Sequence, residues 1–494
     1  MNRRSFIGRS LSFAGFAFCR PGAVFAAEHG KFLLGSPNLV IGVTSDVHVK
    51  PLQERKGEYF TEFWRKTLEL FRDQGADVVV AAGDLCNSSV TDEMQAFADT
   101  WFDVFPDDRA PDGRKVERVF VYGNHDISLQ RARRVCNNDK VEMKRRAIAL
   151  DRAGCWKRIF REEYSDVYRK TVKGYDFIGA HWEGGLKGHD DSFCKGLEAF
   201  YDKVGPLLDK SKPFFHVQHP HPKGTCHGEY VWGQDDGVST KVLSRHPNAV
   251  SFSGHSHNSL LDERAIWQGE FTSVGTATAS HVEPSAIKAG IEYGFENYWA
   301  YGKSGKAREE ADRAKVMPMM DRTKGRQAQV VRVYDDRIVF SRYDLYDLKP
   351  LAEDLVMPLG AAESKPYAFA PRCEAAKHPQ FPAEAKVTVS FCKAKRRGNA
   401  KKTKSVSVSV PAANAEPSAR GVYYKVVAEC GAQRLVVSVL HDSFRFRAGD
   451  ERSEMPLECK IALDRLPKGD VTFRVTAYSW WDKPSRTLET VCRI

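Results

Sequence analysis

The chain reads as an α/β (α+β) domain of β-sheets flanked by helices, followed by an all-β sandwich. Three observations predict this. Five short apolar runs in the first half each end on a patch of histidine, carboxylate or carboxamide residues. An amphipathic stretch at helical spacing separates the first two runs. From about residue 383 helical periodicity stops, and alternating strand-like segments fill the rest of the chain.

The N-terminal 26 residues read as an export signal. Asn2-Arg3-Arg4-Ser5-Phe6-Ile7 opens it, an apolar stretch follows over 11–18, and Val24-Phe25-Ala26 supplies small-residue cleavage logic before Ala27. The paired arginines resemble a bacterial twin-arginine signal, which implies a periplasmic or secreted protein. Phe18 before Cys19 breaks the small-residue pattern of a lipoprotein site. No later segment approaches the roughly 20 apolar residues of a membrane span.

A domain over 27–348 comes next. Its strand-like runs are Leu39–Thr44, Val78–Ala82, 119–122, Tyr175–Ala180, 214–217 and Ala249–Ser253. The stretch 59–72 is helical, because Phe60, Phe63, Trp64, Thr67, Leu68 and Phe71 recur at i, i+3, i+4 spacing. It would link the first two strands as a right-handed crossover. Three stretches, 90–118, 127–173 and 281–326, read as insertions that shape a pocket. Gln327–Val333 and 337–342, joined by Asp335-Asp336, read as a closing hairpin. Residues 349–382 carry several prolines and read as a linker. The sandwich over 383–494 is built from runs at 386–392, 404–410, Tyr423–Cys430, Gln433–Leu440, 458–463 and 471–479. Leu466-Pro467-Lys468-Gly469 resembles a turn of fibronectin type III-like sandwiches, and about 110 residues suit one such domain. Trp480-Trp481 at a strand end is read as packing rather than as a sugar-stacking platform.

Length and charge narrow the function. The 494 residues suffice for two or three domains, and the formal net charge is +11. Four of those charges (Arg3, Arg4, Arg9, Arg20) lie in the leader, so seven remain. That diffuse surplus suits anionic substrates but gives no basic, aromatic-interleaved stripe for duplex nucleic acid. Ten cysteines remain without Cys19. None forms a CxxC pair, so structural zinc is disfavoured.

The chemistry lies in Asp46-Val47-His48, Gly83-Asp84, Gly123-Asn124-His125-Asp126, Gln218-His219-Pro220-His221 and Gly254-His255-Ser256-His257. Ligands delivered from strand ends would converge at one edge of a parallel sheet, where open α/β sheets bind ligands. Oxygen and imidazole donors in that number suit a two-metal hydrolase. Order, spacing and strand context resemble the calcineurin-like metallophosphoesterase family over roughly residues 37–345.

That resemblance implies a four-layer metallophosphoesterase fold, a sandwich of two mixed sheets flanked by helices. It further implies that Asp46, His48 and His257 hold one metal, that Asn124, His219 and His255 hold a second, and that Asp84 bridges both. The metals would be divalent or trivalent Mn, Fe or Zn. A hydroxide bridging them would attack a small phosphate mono- or diester. The catalytic group is then His125, Asn124 and Asp126, with His125 over the phosphate and Asp126 orienting the loop or a histidine.

Some family members carry a carboxylate three residues after the bridging aspartate, to orient the catalytic histidine. Here Asn87 stands in that place, and its amide is expected to hold His125; its presence also excludes a ferric-tyrosinate centre. His219 is preferred to His221 as the ligand. His181 reads equally as a site or a core residue. His189, His227 and His281 read as exposed, and Glu296-Asn297 as a substrate contact. The rival readings are an envelope-binding protein with vestigial or secondary hydrolysis, and attachment to a cell-envelope component through the sandwich.

Overall fold

The computed structural model describes residues 35–52, 57–183, 193–228, 233–282, 325–360, 364–395, 402–416 and 419–494. The leader, His189 and Glu296-Asn297 lie outside them. All the architecture below belongs to one compact unit, Asn38–Ile494.

Two mixed sheets face each other. The first holds β1 (Leu39–Thr44), β2 (Val78–Ala82) and β3 (Glu117–Val121), with β10 (Gln327–Val333) and β11 (Arg337–Asp344) beside β1. The first three run parallel and the last two are antiparallel neighbours. In the second sheet β5 (Tyr175–Ala180), β6 (Phe214–Gln218), β7 (Ala249–Ser253) and β9 (Thr272–Gly275) are parallel. The antiparallel strands β4 (Val167–Val172) and β8 (Ile266–Gln268) edge it.

The period-2 alternation of each strand sorts side chains between two cores. Leu39, Ile41, Val43, Val78, Val80 and Val119 meet Phe177, Phe215, Val217, Val250 and Phe252 between the sheets. Val40, Val79, Ala81 and Phe120 point the other way, under helices α1 (Glu62–Asp73) and α2 (Thr91–Val104). Leu197, Tyr201, Val242 and Leu243 cover the outer face of the second sheet. The order is therefore helix, sheet, sheet, helix. Gly42 is required where α1 crosses β1, because a Cβ there would lie 2.3 Å from Phe71 Cγ.

The element readings differ from the structure in definable ways. Helix α1 starts at Glu62, since Tyr59 instead bridges Pro51. The stretch 90–118 is not an insertion: α2 is the crossover between parallel β2 and β3, and it buries Met94, Phe97 and Trp101 in the core. The stretch 127–173, long, charged and expected to be helical, holds three short helices, α3 (Leu129–Val135), α4 (Lys140–Arg146) and α5 (Arg152–Phe160), before β4. Of 281–326, residues 283–324 lie outside the described residues.

The proline-rich stretch is tied to the domain before it. Strands β12 (Lys349–Pro350) and β13 (Leu355–Pro358) both pair with β11. Tyr367 Oη donates to the Val356 carbonyl, and its ring packs in the inter-sheet core.

The tail forms two antiparallel sheets. One orders β14 (Thr388–Lys395), β15 (Lys402–Val410) and β18 (Leu457–Ala462); the other orders β17 (Gln433–Leu440), β16 (Tyr423–Cys430), β19 (Asp470–Tyr478) and β20 (Leu488–Arg493). A shared core of Val406, Val408, Tyr424, Val426, Cys459, Phe473 and Val475 lies between them. Strand β20 was not among the runs read from the sequence. Both tryptophans pack: with Val422, Tyr423, Leu440 and Phe444 they bury Val282 and cover Leu261 of the first domain. Gln327 Nε2 donates across the same junction to the Arg445 carbonyl, at 3.0 Å.

Candidate metal centre

Each of the five patches follows a strand of the inter-sheet sandwich. The site is not the edge of one parallel sheet. Asp46, Asp84 and Asn124 come from the ends of β1, β2 and β3, while His219, His255 and His257 come from β6 and β7 of the facing sheet. Main-chain bonds lock the loops together. Asp46 N–H donates to Gly83 O at 2.9 Å, and His48 N–H to Asp84 O at 3.0 Å. His255 N–H donates to Asp46 Oδ2 at 3.0 Å, and His125 N–H to Asp84 Oδ1 at 2.7 Å.

Strain is concentrated here. Asp46, His48, Asp84, His255 and His257 all adopt left-handed φ, between 49° and 69°. Each such residue costs of order 1 kcal/mol and persists only where its surroundings over-determine it. Gly83 (φ 86°) is needed for room as well, since a Cβ there would meet His219 Nδ1 at 2.4 Å.

Two groups of donors meet at Asp84. In one, His257 Nε2 lies 3.1 Å from both Asp46 Oδ1 and His48 Nε2. In the other, His219 Nε2 lies 3.2 Å from Asp84 Oδ2 and 3.1 Å from Asn124 Oδ1, and the His219 and His255 rings are 4.7 Å apart. Asp84 Oδ2 also lies 3.7 Å from His48 Nε2. Asp46, Asp84 and His219 are essentially inaccessible, and Asp46 Oδ1 makes no hydrogen bond among the described residues. A buried carboxylate oxygen left without a donor is costly unless a cation meets it.

The imidazoles are oriented from behind. His219 Nδ1 bonds the Ala82 carbonyl at 2.7 Å, and His257 Nδ1 the His281 carbonyl at 2.9 Å. A carbonyl only accepts, so each Nδ1 carries the proton and each Nε2 turns a lone pair into the cluster. Burial holds His48 and His255 well below the ordinary pKa, which keeps them neutral donors. At His219 burial acts in the same direction but is outweighed by Asp84, and the pKa rises to about 9.

His125 lies beside this cluster, with Nε2 3.9 Å from Asp84 Oδ2. Its Nδ1 donates to the main-chain carbonyl of Asn87 at 3.0 Å. The expectation that the Asn87 amide would hold the ring is thus corrected: that amide donates to Ser88 Oγ instead. Burial lowers the His125 pKa against the pull of Asp84, and Arg131 of α3 lowers it further.

Asp126 lies beneath the site. Its carboxylate accepts from Leu85, Cys86 and Gly123 N–H at 3.2, 2.8 and 2.7 Å, so it clamps the Asp84 loop to the Asn124 loop. It acts by positioning these two loops.

The remaining histidines separate. His221 turns away, to Ser253 Oγ at 2.8 Å and Ser256 Oγ at 2.6 Å. His181 is a core residue: its Nδ1 accepts from Tyr122 N–H at 2.9 Å, and burial lowers its pKa to about 3. His227 is buried, and the His281 ring is half-buried, tilted against the His257 ring at a centroid distance of 4.5 Å; neither is the exposed loop residue expected. Sequence reasoning also missed Glu93, which accepts from Asn87 and Ser88 N–H at 2.9 and 2.7 Å beneath His125. Its place in a crossover helix is the signal that would have found it. Arg131 was missed because nothing local singles out one arginine in the long, charged, helical stretch 127–173.

Fold and site together define a metal-dependent phosphoester hydrolase. Residues 39–259 match the family model of the calcineurin-like phosphoesterases, the stretch that carries all five donor patches. No curated protein matches the chain in sequence. Among solved structures it is similar to a dimetal phosphatase from Danio rerio, at 12% identity and TM-score 0.37, over 66% of this chain and 100% of that one. It is also similar to a purple acid phosphatase from yellow lupin (Lupinus luteus) seeds, at 13% identity and TM-score 0.39, over 66% of this chain and 55% of that one. Likeness at this level leaves the functional argument on the family match and the geometry.

Proposed function

We propose that this chain is an exported, dinuclear phosphoesterase acting on small phosphate mono- or diesters. Asp46, His48 and His257 would hold one ion, Asn124, His219 and His255 the other, with Asp84 shared. The observation that carries this reading is the convergence of six side chains from strand ends around Asp84, with Asp46 Oδ1 buried and without a hydrogen bond among the described residues beside two Nε2 atoms. The donor set of carboxylates, imidazoles and one carboxamide fits Mn, Fe or Zn. When bound, two such cations acidify water and neutralise phosphate charge.

The chain's own groups supply the rest. His125 Nε2 faces the cluster on a ring fixed by the Asn87 carbonyl, and it would exchange a proton with the ester's leaving oxygen. An anionic phosphate would raise the pKa that burial lowers. The Arg131 guanidinium makes no hydrogen bond or ion pair among the described residues and adds positive charge to the same side.

Export by the twin-arginine route to the periplasm or beyond is part of the proposal and rests on residues 1–26. So is a fibronectin type III-like tail. Its first, second and fifth strands share one sheet, and its fourth, third, sixth and seventh share the other, an order that supports the reading. Binding of the tail to a cell-envelope component remains a proposal of the same kind. Among the described residues no helix is long and apolar enough to cross a membrane.

The test is a panel of phosphate monoesters and diesters incubated with the purified, manganese-loaded protein and with Asp84→Ala. Hydrolysis by the first and none by the second is expected. No hydrolysis of any ester by a protein that holds its metals would overturn the reading.

A further inference from the structure

We propose that His221, Cys226 and His227 form a third metal site, separate from the Asp84 cluster, which takes one zinc ion in a structural role. The three residues lie in the loop after β6, packed on the ends of β7 and β9. Their relative exposures are 1%, 0% and 3%. Each offers a ligand atom, and the three atoms lie within 4.8 Å of one another. His221 Nδ1 and Cys226 Sγ are 3.3 Å apart. A tetrahedral zinc ion with ordinary Zn–N and Zn–S lengths sets such a pair about 3.5 Å apart.

The surrounding bonds free the lone pairs that a metal needs. His221 Nε2 bonds Ser256 Oγ at 2.6 Å, so a proton on Nε2 leaves Nδ1 open toward the sulfur. Ser253 Oγ, 2.8 Å from Nδ1, can rotate its hydroxyl away or supply a fourth ligand. His227 Nδ1 lies 3.1 Å from Asp262 Oδ2, and Asp262 is gripped by the Arg264 guanidinium at 3.0 Å on each oxygen. A carboxylate behind an imidazole is the support that metal-binding histidines use, and it fixes the proton on Nδ1. His227 Nε2 is then a lone pair with no hydrogen bond among the described residues. Gly275 lies beneath it, where a Cβ would come within 2.5 Å of that nitrogen. The backbone of His227 is left-handed, at φ 65°, as at five of the seven ligand positions around Asp84.

One soft thiolate with two imidazoles selects zinc over manganese or magnesium. Binding replaces the thiol proton, which leaves to solvent. The role is structural because His221 holds Ser256, the residue between His255 and His257. A third ion would pin the loop that delivers both.

The experiment uses the full chain, stripped by a chelator and reloaded with cobalt(II), beside Cys226→Ser treated alike. The wild type is expected to bind one more equivalent than the variant and to show a near-ultraviolet thiolate-to-cobalt absorption that the variant lacks. That difference is read whatever the Asp84 cluster holds. Equal stoichiometry without the band in the wild type overturns the proposal, as does a band that persists in Cys226→Ser. An extra equivalent with no thiolate band would be an adventitious ion and overturns it too. Should Cys226→Ser not fold, His227→Gln is expected to shift or abolish the wild-type band, and an unchanged band refutes the site.

Discussion

Replacing His125 by alanine separates chemistry from metal binding. Its Nε2 is 3.9 Å from the nearest Asp84 oxygen, and its ring is held by one hydrogen bond to Asn87 O and an edge contact with His48 at 4.4 Å. Losing that bond on a ring that still touches solvent costs about 1 kcal/mol of stability. The variant should therefore fold and keep its metals. A positioned general acid or base contributes roughly 10²–10⁴-fold, or about 3–5 kcal/mol of barrier, so turnover should fall by that factor.

The loss should shrink for esters with good leaving groups such as nitrophenol. The pH profile carries a second signature. If the protonated ring is the active form, kcat/KM falls as pH rises through its pKa, which burial places below the ordinary 6.5. That limb should be absent from His125→Ala. The assay is steady-state hydrolysis of a leaving-group series, with metal content measured on the same samples. Equal losses across the series would refute proton donation and leave only charge stabilisation. Loss of metal would refute the separation of roles.

Asp84→Ala should lose both metal and activity, and elemental analysis showing unchanged metal would remove the bridging role. Gly123→Ala places a Cβ 2.3 Å from Asp84 Oδ1 and 2.5 Å from Asp84 N; it should cost about 1–3 kcal/mol and lower the metal content, whereas full loading at an unchanged Tm would show that the loop gives way. A chain ended at residue 360 loses Tyr367 from the inter-sheet core and uncovers Leu261 and Val282, so it should aggregate; a soluble, cooperatively unfolding, metal-loaded fragment would refute that. Arg3→Lys with Arg4→Lys should trap the precursor in the cytoplasm in a fractionation assay, and normal export would point to the general secretion route.

The strands that matter were legible because their signal is local. Runs such as Val78–Ala82 and Ala249–Ser253 are continuous apolar segments that end abruptly at Gly83 and Gly254, and a strand buried on both faces needs no partner to be recognised. The donors at their ends were legible for the same reason, as was the change to alternating strands in the tail. What depends on which surfaces meet was not. That Asp46, Asp84 and Asn124 come from one sheet, and His219, His255 and His257 from another, follows from sheet packing, which no segment carries alone. His219 and His221 are chemically identical and two residues apart; only the position of Ala82 O behind one and of Ser253 and Ser256 beside the other sets them to different tasks. Residues 349–382 look like a linker by composition, yet β13 and Tyr367 are held by β11 and the core. Local sequence thus determined which residues stand at strand ends and which chemistry they carry. Tertiary packing decided where each lone pair points, because a ring's orientation is set by the carbonyls and hydroxyls that other strands bring behind it.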